Sequence, residues 1–167
     1  MTLFYKKIDS PVGKLKLVAS ANALVAVLWQ RERPNRVKLD TMTLAPQQPI
    51  LLAAERQLAE YFSGARTQFD LPLQPEGSEF QKQVWQALRA IPFGQTRSYL
   101  DLAKAVGSAN AARAVGAANG KNPLSIIVPC HRVVGSNGSL TGFAGGLDTK
   151  AALLALEARP NLSMNDG

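Results

Sequence analysis

In the first thirty residues apolar positions alternate or run together over five or six places, a spacing that predicts strands and not helices. Residues 4–8 and 14–19 are two half-alternating runs separated by Ser10-Pro11-Val12-Gly13, where Pro and Gly supply turn angles, so they predict a β-hairpin. A third apolar run at 24–29 predicts another strand, and a polar stretch rich in Arg, Pro and Gln reads as a loop. From Pro49 the period changes. Leu51, Leu52, Ala54, Leu58, Tyr61 and Phe62 fall on one helical face before Ser63-Gly64 stops it. Strands followed by a helix predict a small α+β unit.

Residues 71–77, Leu-Pro-Leu-Gln-Pro-Glu-Gly, have two prolines and no periodicity, which predicts a linker between domains at 1–76 and 77–167. Beyond it, Ser78 and Gln81 have the spacing of a capping box, ahead of the apolar stripe Phe80, Val84, Trp85, Leu88 and Ile91. Ser98 and Asp101 repeat that spacing before Leu102, Ala105 and Val106. Gly107-Ser108-Ala109 then breaks the chain, and helix resumes over 111–119. Two short helices joined by a glycine turn predict a helix-turn-helix, although helix hairpins of this kind are also common as plain structure.

Composition narrows the choice of partner. The chain has 167 residues, 46% hydrophobic and 19% charged, which excludes a disordered tail, a collagen or a coiled coil. No run of roughly 18 apolar residues is present, and no apolar stretch follows the charges near the start, so the expectation is a soluble intracellular, cytoplasmic protein with no membrane partner. The net charge is +7. Over 80–147, Lys82, Arg89, Arg97, Lys104, Arg113, Lys121 and Arg132 stand against Asp101 alone, which concentrates the excess beside the predicted helix-turn-helix.

The second helix of that pair is nearly bare: Ala111, Ala112, Ala114, Gly116, Ala117 and Ala118 leave Arg113 as its one long projecting side chain. A full-sized helix is about 10–12 Å across and the minor groove about 6 Å wide, so trimmed side chains suit close approach to that groove. Binding of this kind depends on phosphates and shape. Tight packing between helices would account for the small residues equally well.

One Cys and one His exclude a disulfide framework and a Cys/His zinc site. The two are adjacent, at Cys130 and His131, in the apolar run Ile126-Ile127-Val128-Pro129-Cys130-His131-Arg132-Val133-Val134. In an extended segment successive side chains point to opposite faces, so the pair can act together only through a turn, which Pro129 favours, or through an intervening water. His131 would then take the thiol proton and leave a thiolate nucleophile, with an acceptor orienting its other nitrogen. The competing reading is an inert core cysteine.

The core at 129–133, preceded by Asn122-Pro123 and by 111–116, and followed by Gly142-Phe143-Ala144-Gly145-Gly146, resembles the O6-alkylguanine-DNA alkyltransferases, also called methylated-DNA-protein-cysteine methyltransferases. The resemblance runs over 78–157, while the N-terminal third shares only length and the Ser10-Pro11-Val12-Gly13 hairpin. It implies an α+β protein with a ribonuclease-H-like N-terminal domain of mainly architectural role and a C-terminal helix-turn-helix, winged-helix-like domain holding the site. The activity implied is direct dealkylation of double-stranded DNA bearing alkylated bases. The base is flipped out, and one alkyl group passes irreversibly from guanine oxygen 6, less readily from thymine oxygen 4, to the protein's own cysteine.

Position by position, the resemblance makes Cys130 the acceptor, His131 its water-linked base, Glu157 the carboxylate orienting His131, Asn122 the brace of the cysteine turn and Tyr99 a donor to the purine. Arg113 matches the finger that replaces the flipped base, with Ala112, Ala114 and Gly116 on the groove-contacting face and Ser98 assisting rotation. Phe143, Ala144, Gly145, Val133 and Pro129 would form the substrate pocket. Phe143 and Ala144 stand where many members have Tyr and Ser, a loss of hydroxyls and not of shape. No cofactor or metal is implied, and a monomer is expected. A non-catalytic DNA-binding module and a cysteine hydrolase are the alternatives; the retained cysteine argues against the first, and the Cys-His adjacency with the bare basic helix against the second.

Overall fold

The computed structural model describes residues 2–33, 35–107 and 110–159. Strands β1 (Leu3–Ile8), β2 (Leu15–Ala19) and β3 (Leu24–Trp29) form the expected antiparallel meander. A fourth strand, β4 (Met42–Leu44), pairs parallel to β1 and completes a sheet of order β3-β2-β1-β4. The polar stretch read as a loop hides β4, because three residues are too few to show a period.

Helix α1 (Pro49–Phe62) covers one face of this sheet, burying Leu51, Ala54, Leu58 and Tyr61 against Leu15, Leu17, Ala19, Leu24 and Val27. Gln48 caps it: its side chain accepts from the Leu51 N–H, and Pro49 follows at the first helical position, where a missing N–H is harmless. The opposite face holds a smaller cluster of Leu3, Val18, Val25 and Ala26, flanked by Tyr5, Leu28, Leu39 and Met42.

In the C-terminal half both expected capping boxes form, Ser78 with Gln81 on α2 (Glu79–Arg89) and Ser98 with Asp101 on α3 (Tyr99–Ala105). Helix α4 (Ala112–Gly120) follows, and of the expected break Ser108 and Ala109 lie outside the described residues. The Trp85 indole N–H donates to the Ala118 carbonyl at 2.8 Å, fastening α2 to α4. A two-residue parallel pair, β5 (Arg97–Ser98) with β6 (Val133–Val134), and α5 (Leu147–Ala158) complete the unit.

The stretch expected to be a linker is stitched to the sheet. Leu24 N–H donates to the Pro72 carbonyl and Gln74 N–H to the Leu24 carbonyl, both at 2.8 Å, so 71–77 satisfies the outer edge of β3, which an open strand would leave unpaired. Farther along the same edge Val27 N–H donates to the Pro123 carbonyl at 2.9 Å, and one hydrophobic cluster runs from Leu15 to Leu153 through both halves.

Arg36 completes this joint. It is buried, grips the Glu32 carboxylate through Nε and Nη2 at 2.7 and 2.6 Å, and donates Nη1 to the carbonyls of Gly120 and Asn122 at 3.1 and 2.9 Å. Those carbonyls lie at and just past the C-terminal end of α4, where the helix dipole favours a cation. Arg36→Leu is expected to lower stability by about 2–3 kcal/mol in urea unfolding, because it leaves buried carbonyls unpaired.

Candidate active site

Cys130 sits where the backbone turns twice. Pro129, with φ −82° and ψ 65°, centres an inverse γ-turn closed by Cys130 N–H donating to the Val128 carbonyl at 2.8 Å. A 3₁₀ turn over Cys130–Arg132 follows directly, so the segment is not extended and the opposite-face restriction does not apply. Asn122 braces the approach from within, its amide donating to the Val128 carbonyl at 2.8 Å and its oxygen accepting from Leu124 N–H at 3.0 Å. Ile126 adopts φ +74°, a left-handed conformation that costs a β-branched residue on the order of 1–3 kcal/mol and that the surrounding hydrogen bonds must hold.

His131 is wholly buried, and its Nε2 lies 2.7 Å from Glu157 Oε2 on α5. Its Nδ1 is buried and has no hydrogen-bond partner among the described residues. Glu157 also accepts from Arg132, Nε to Oε1 at 2.7 Å and Nη2 to Oε2 at 3.1 Å, and from the Tyr61 hydroxyl at 2.6 Å. Burial alone would raise the Glu157 pKa, but donors from His131, Arg132 and Tyr61 outweigh it and hold the carboxyl down at about 2. Burial lowers the His131 pKa, so the ring is a neutral base. Burial also pushes the Cys130 thiol up, opposed by the Asn122 hydrogen bond and the charges of Arg36 and Lys150. The thiol is therefore not ionised by its surroundings alone, and ionisation requires a base.

Cys130, 6% exposed, lines a cavity of about 470 Å³ with Asn119, Gly120, Arg33, Arg36, Gly142, Phe143, Ala144 and Gly146, within the ~300–1,000 Å³ of small-molecule sites. Asn119 and Gly120 end α4, so the opening adjoins the helix that carries Arg113. The Phe143 ring meets Trp29 edge-on at 5.6 Å, and Gly145 lies flat on Trp29, where an added Cβ would come within 2.8–3.0 Å of the indole. Lys150 is fully buried and donates to the Val133 carbonyl at 2.6 Å. Tyr99 and Thr141 share a hydroxyl hydrogen bond at 2.6 Å.

The other expected residues divide. Arg113 and Ala114 are exposed on α4, Ala112 and Gly116 half-buried, and a Cβ added at Gly116 would lie 3.9 Å from the Tyr99 ring. Ser98 accepts the Asp101 N–H as the cap of α3 and retains its own hydroxyl proton for donation. Of the five residues expected in the pocket wall, Phe143 and Ala144 line this cavity, and Gly145, Val133 and Pro129 are not among its lining residues; Gly145 packs on Trp29. The Val133 side chain is buried in the core from β6, and Pro129 lines a separate cleft with Phe69, Ile91, Phe93 and Arg132. Arg132, counted among the charges available to an anionic partner, is instead committed to Glu157 and to the Ile91 carbonyl at 2.7 Å. Tyr61, Arg36, Trp29 and Lys150 carry no local motif that marks them in the sequence: the first three reach the site from the N-terminal half, and Lys150 reads as one more lysine on α5.

A depressed carboxyl pKa stabilises the fold above its ordinary value and loses that contribution as pH falls through the folded one. Glu157→Gln is expected to cost on the order of 3 kcal/mol at neutral pH. In urea unfolding the gap from wild type should close between about pH 4.5 and about pH 2.

Comparison with known proteins accords with this geometry. Residues 79–159 match the DNA-binding domain of 6-O-methylguanine DNA methyltransferase, and residues 3–75 match its ribonuclease-like domain. A methylated-DNA–protein-cysteine methyltransferase of Mycolicibacterium paratuberculosis is 48% identical over 158 residues, 93% of this chain and 92% of that protein. One of Methanosarcina acetivorans is 45% identical over 155 residues, covering 93% and 98%. The crystal structure of Mycobacterium tuberculosis OGT in complex with DNA superposes with a TM-score of 0.86 at 43% identity, over 98% of this chain and 99% of that one. With a relative this similar over nine-tenths of its length and both domain models matched in order, the chain belongs to the 6-O-methylguanine DNA methyltransferase family.

Proposed function

We propose that the chain repairs double-stranded DNA by moving the alkyl group of O6-alkylguanine, and less readily that of O4-alkylthymine, onto Cys130. The observation that carries this is the chain's single thiol lining a cavity large enough for an extruded base, next in sequence to a buried imidazole whose far nitrogen a carboxylate holds. Helix α4 enters the minor groove on the side of Ala112, Ala114 and Gly116, and Arg113, exposed and without a hydrogen bond or ion pair among the described residues, takes the place of the flipped base. Ser98 donates its free proton to a phosphate beside the rotating nucleotide.

In the cavity the base lies along Phe143 and the backbone at Ala144 and Gly145. The thiol proton passes through a water to His131 Nδ1, whose new charge Glu157 stabilises across Nε2–H. A sulfur lone pair forms the bond to the alkyl carbon as the carbon–oxygen bond breaks, and that bond's electrons pass to the guanine. Tyr99, released from Thr141, donates its hydroxyl to the purine ring nitrogen as this charge develops. The proton held on His131 then returns through water to the guanine, which leaves neutral, so the reaction balances without another reactant; the product thioether offers water no leaving group, and each molecule acts once. The working form is a cytoplasmic monomer.

Mass spectrometry of protein incubated with methylated duplex should find one methyl per molecule, on Cys130. Repair without that gain, or several turnovers per molecule, would refute the assignment. Cys130→Ala should abolish transfer and keep DNA binding. Arg113→Ala should slow duplex repair by about tenfold or more while leaving transfer from free benzylated guanine within about twofold, because only the duplex requires flipping; equal losses would contradict the finger role.

A further inference from the structure

The carboxylate that holds His131 is itself held from the other half of the chain. Glu157 Oε2 accepts from His131 at 2.7 Å and Arg132 at 3.1 Å, both in the C-terminal half, and from the Tyr61 hydroxyl of α1 at 2.6 Å across 96 residues of sequence. Tyr61 is 1% exposed, with Phe62 and Phe93 edge-on to its ring and Phe69 tilted against it. A phenylalanine would fill the same space, so packing does not account for the hydroxyl. Burial, reinforced by the Glu157 charge, pushes the phenol far above its ordinary range, so the Tyr61 hydroxyl keeps its proton and donates it to Glu157.

We propose that Tyr61 is a positioning residue for the alkyl transfer, its hydroxyl fixing Glu157 Oε2 where it takes the Nε2 proton of His131 and leaves Nδ1 bare for the thiol proton. The inference rests on the transfer chemistry proposed above. The titratable and charged groups around the His131–Glu157 pair are Tyr61 on α1, Cys130 and Arg132 on the 3₁₀ turn and Lys150 on α5. Arg132 engages both carboxylate oxygens, whereas Tyr61 and His131 share Oε2, so the hydroxyl acts on the oxygen that sets the imidazole. Without that donor, Oε2 carries more charge, binds a protonated ring more tightly and makes His131 a poorer proton acceptor on the acid side.

The chain has one histidine, so ring ¹⁵N resonances of labelled protein report on His131 alone. Wild type should show a neutral ring protonated at Nε2. In Tyr61→Phe the titration midpoint should rise by about one pH unit, and the acid limb of the single-turnover transfer rate should move with it, about a tenfold loss at pH values below both midpoints. A merely structural hydroxyl would lower thermal stability and leave both curves where they were, which would overturn the proposal. Should Tyr61→Phe fail to fold, 3,5-difluorotyrosine placed at position 61 alone keeps the ring and strengthens the donor. It should move the midpoint down, and an unmoved or raised midpoint would count against the proposal. The ring titration needs no DNA, so failure of wild type to accept a methyl group would sink the function while this measurement still decides whether Tyr61 governs His131.

Discussion

One carboxylate, buried in the interior, sets the terms for the rest of the molecule. An isolated ionised group at that depth costs several kcal/mol, and Glu157 is tolerable there only because Tyr61, His131 and Arg132 all donate to it. The donors come from α1 and from the 3₁₀ turn, and the acceptor from α5, so the constellation exists only when both halves of the chain are folded against each other. This makes the hydrogen-bonded group of Tyr61, His131, Arg132 and Glu157 cooperative with the fold. It also explains why the two halves share one hydrophobic cluster and why the stretch between them is fastened to the β3 edge.

The same joint shapes the thiol's surroundings. Val27 holds Pro123, Arg36 holds the Asn122 and Gly120 carbonyls, and Asn122 in turn holds the loop that ends at Cys130. That chain of bonds keeps Ile126 in its left-handed conformation and leads into the γ-turn at Pro129. On the other wall Trp29 supports Phe143 and Gly145. The N-terminal half, expected to be mainly architectural, thus supplies contacts to the relay, the cysteine loop and the pocket wall alike.

Features written in a few consecutive residues were legible in the sequence. The capping boxes at Ser78 and Ser98 start helices where their spacing says, and α1 lies where its period places it, since each depends on local hydrogen bonds or on one amphipathic face. Adjacency pointed to Cys130 and His131, and the family resemblance pointed to Glu157 and Asn122. What stayed hidden is non-local or lacks a period. Tyr61 reads as one more apolar position on a helix, Arg36 and Arg132 as surface charge, Lys150 as a helix lysine, and β4 is too short to alternate. Pro129 and Val133 are the two ends of the 129–133 core and read as pocket residues, but Val133 is buried in the hydrophobic core and Pro129 lines a separate cleft.

The proposed transfer depends on Glu157 making His131 the acceptor of the Cys130 proton, and the direct measure is the single-turnover methyl-transfer rate of Glu157→Gln at saturating duplex, at a temperature where circular dichroism shows it folded. The rate should fall by about a hundredfold or more with DNA affinity unchanged. A rate within about twofold of wild type would mean that the thiol loses its proton by another route, and the relay described here would be wrong.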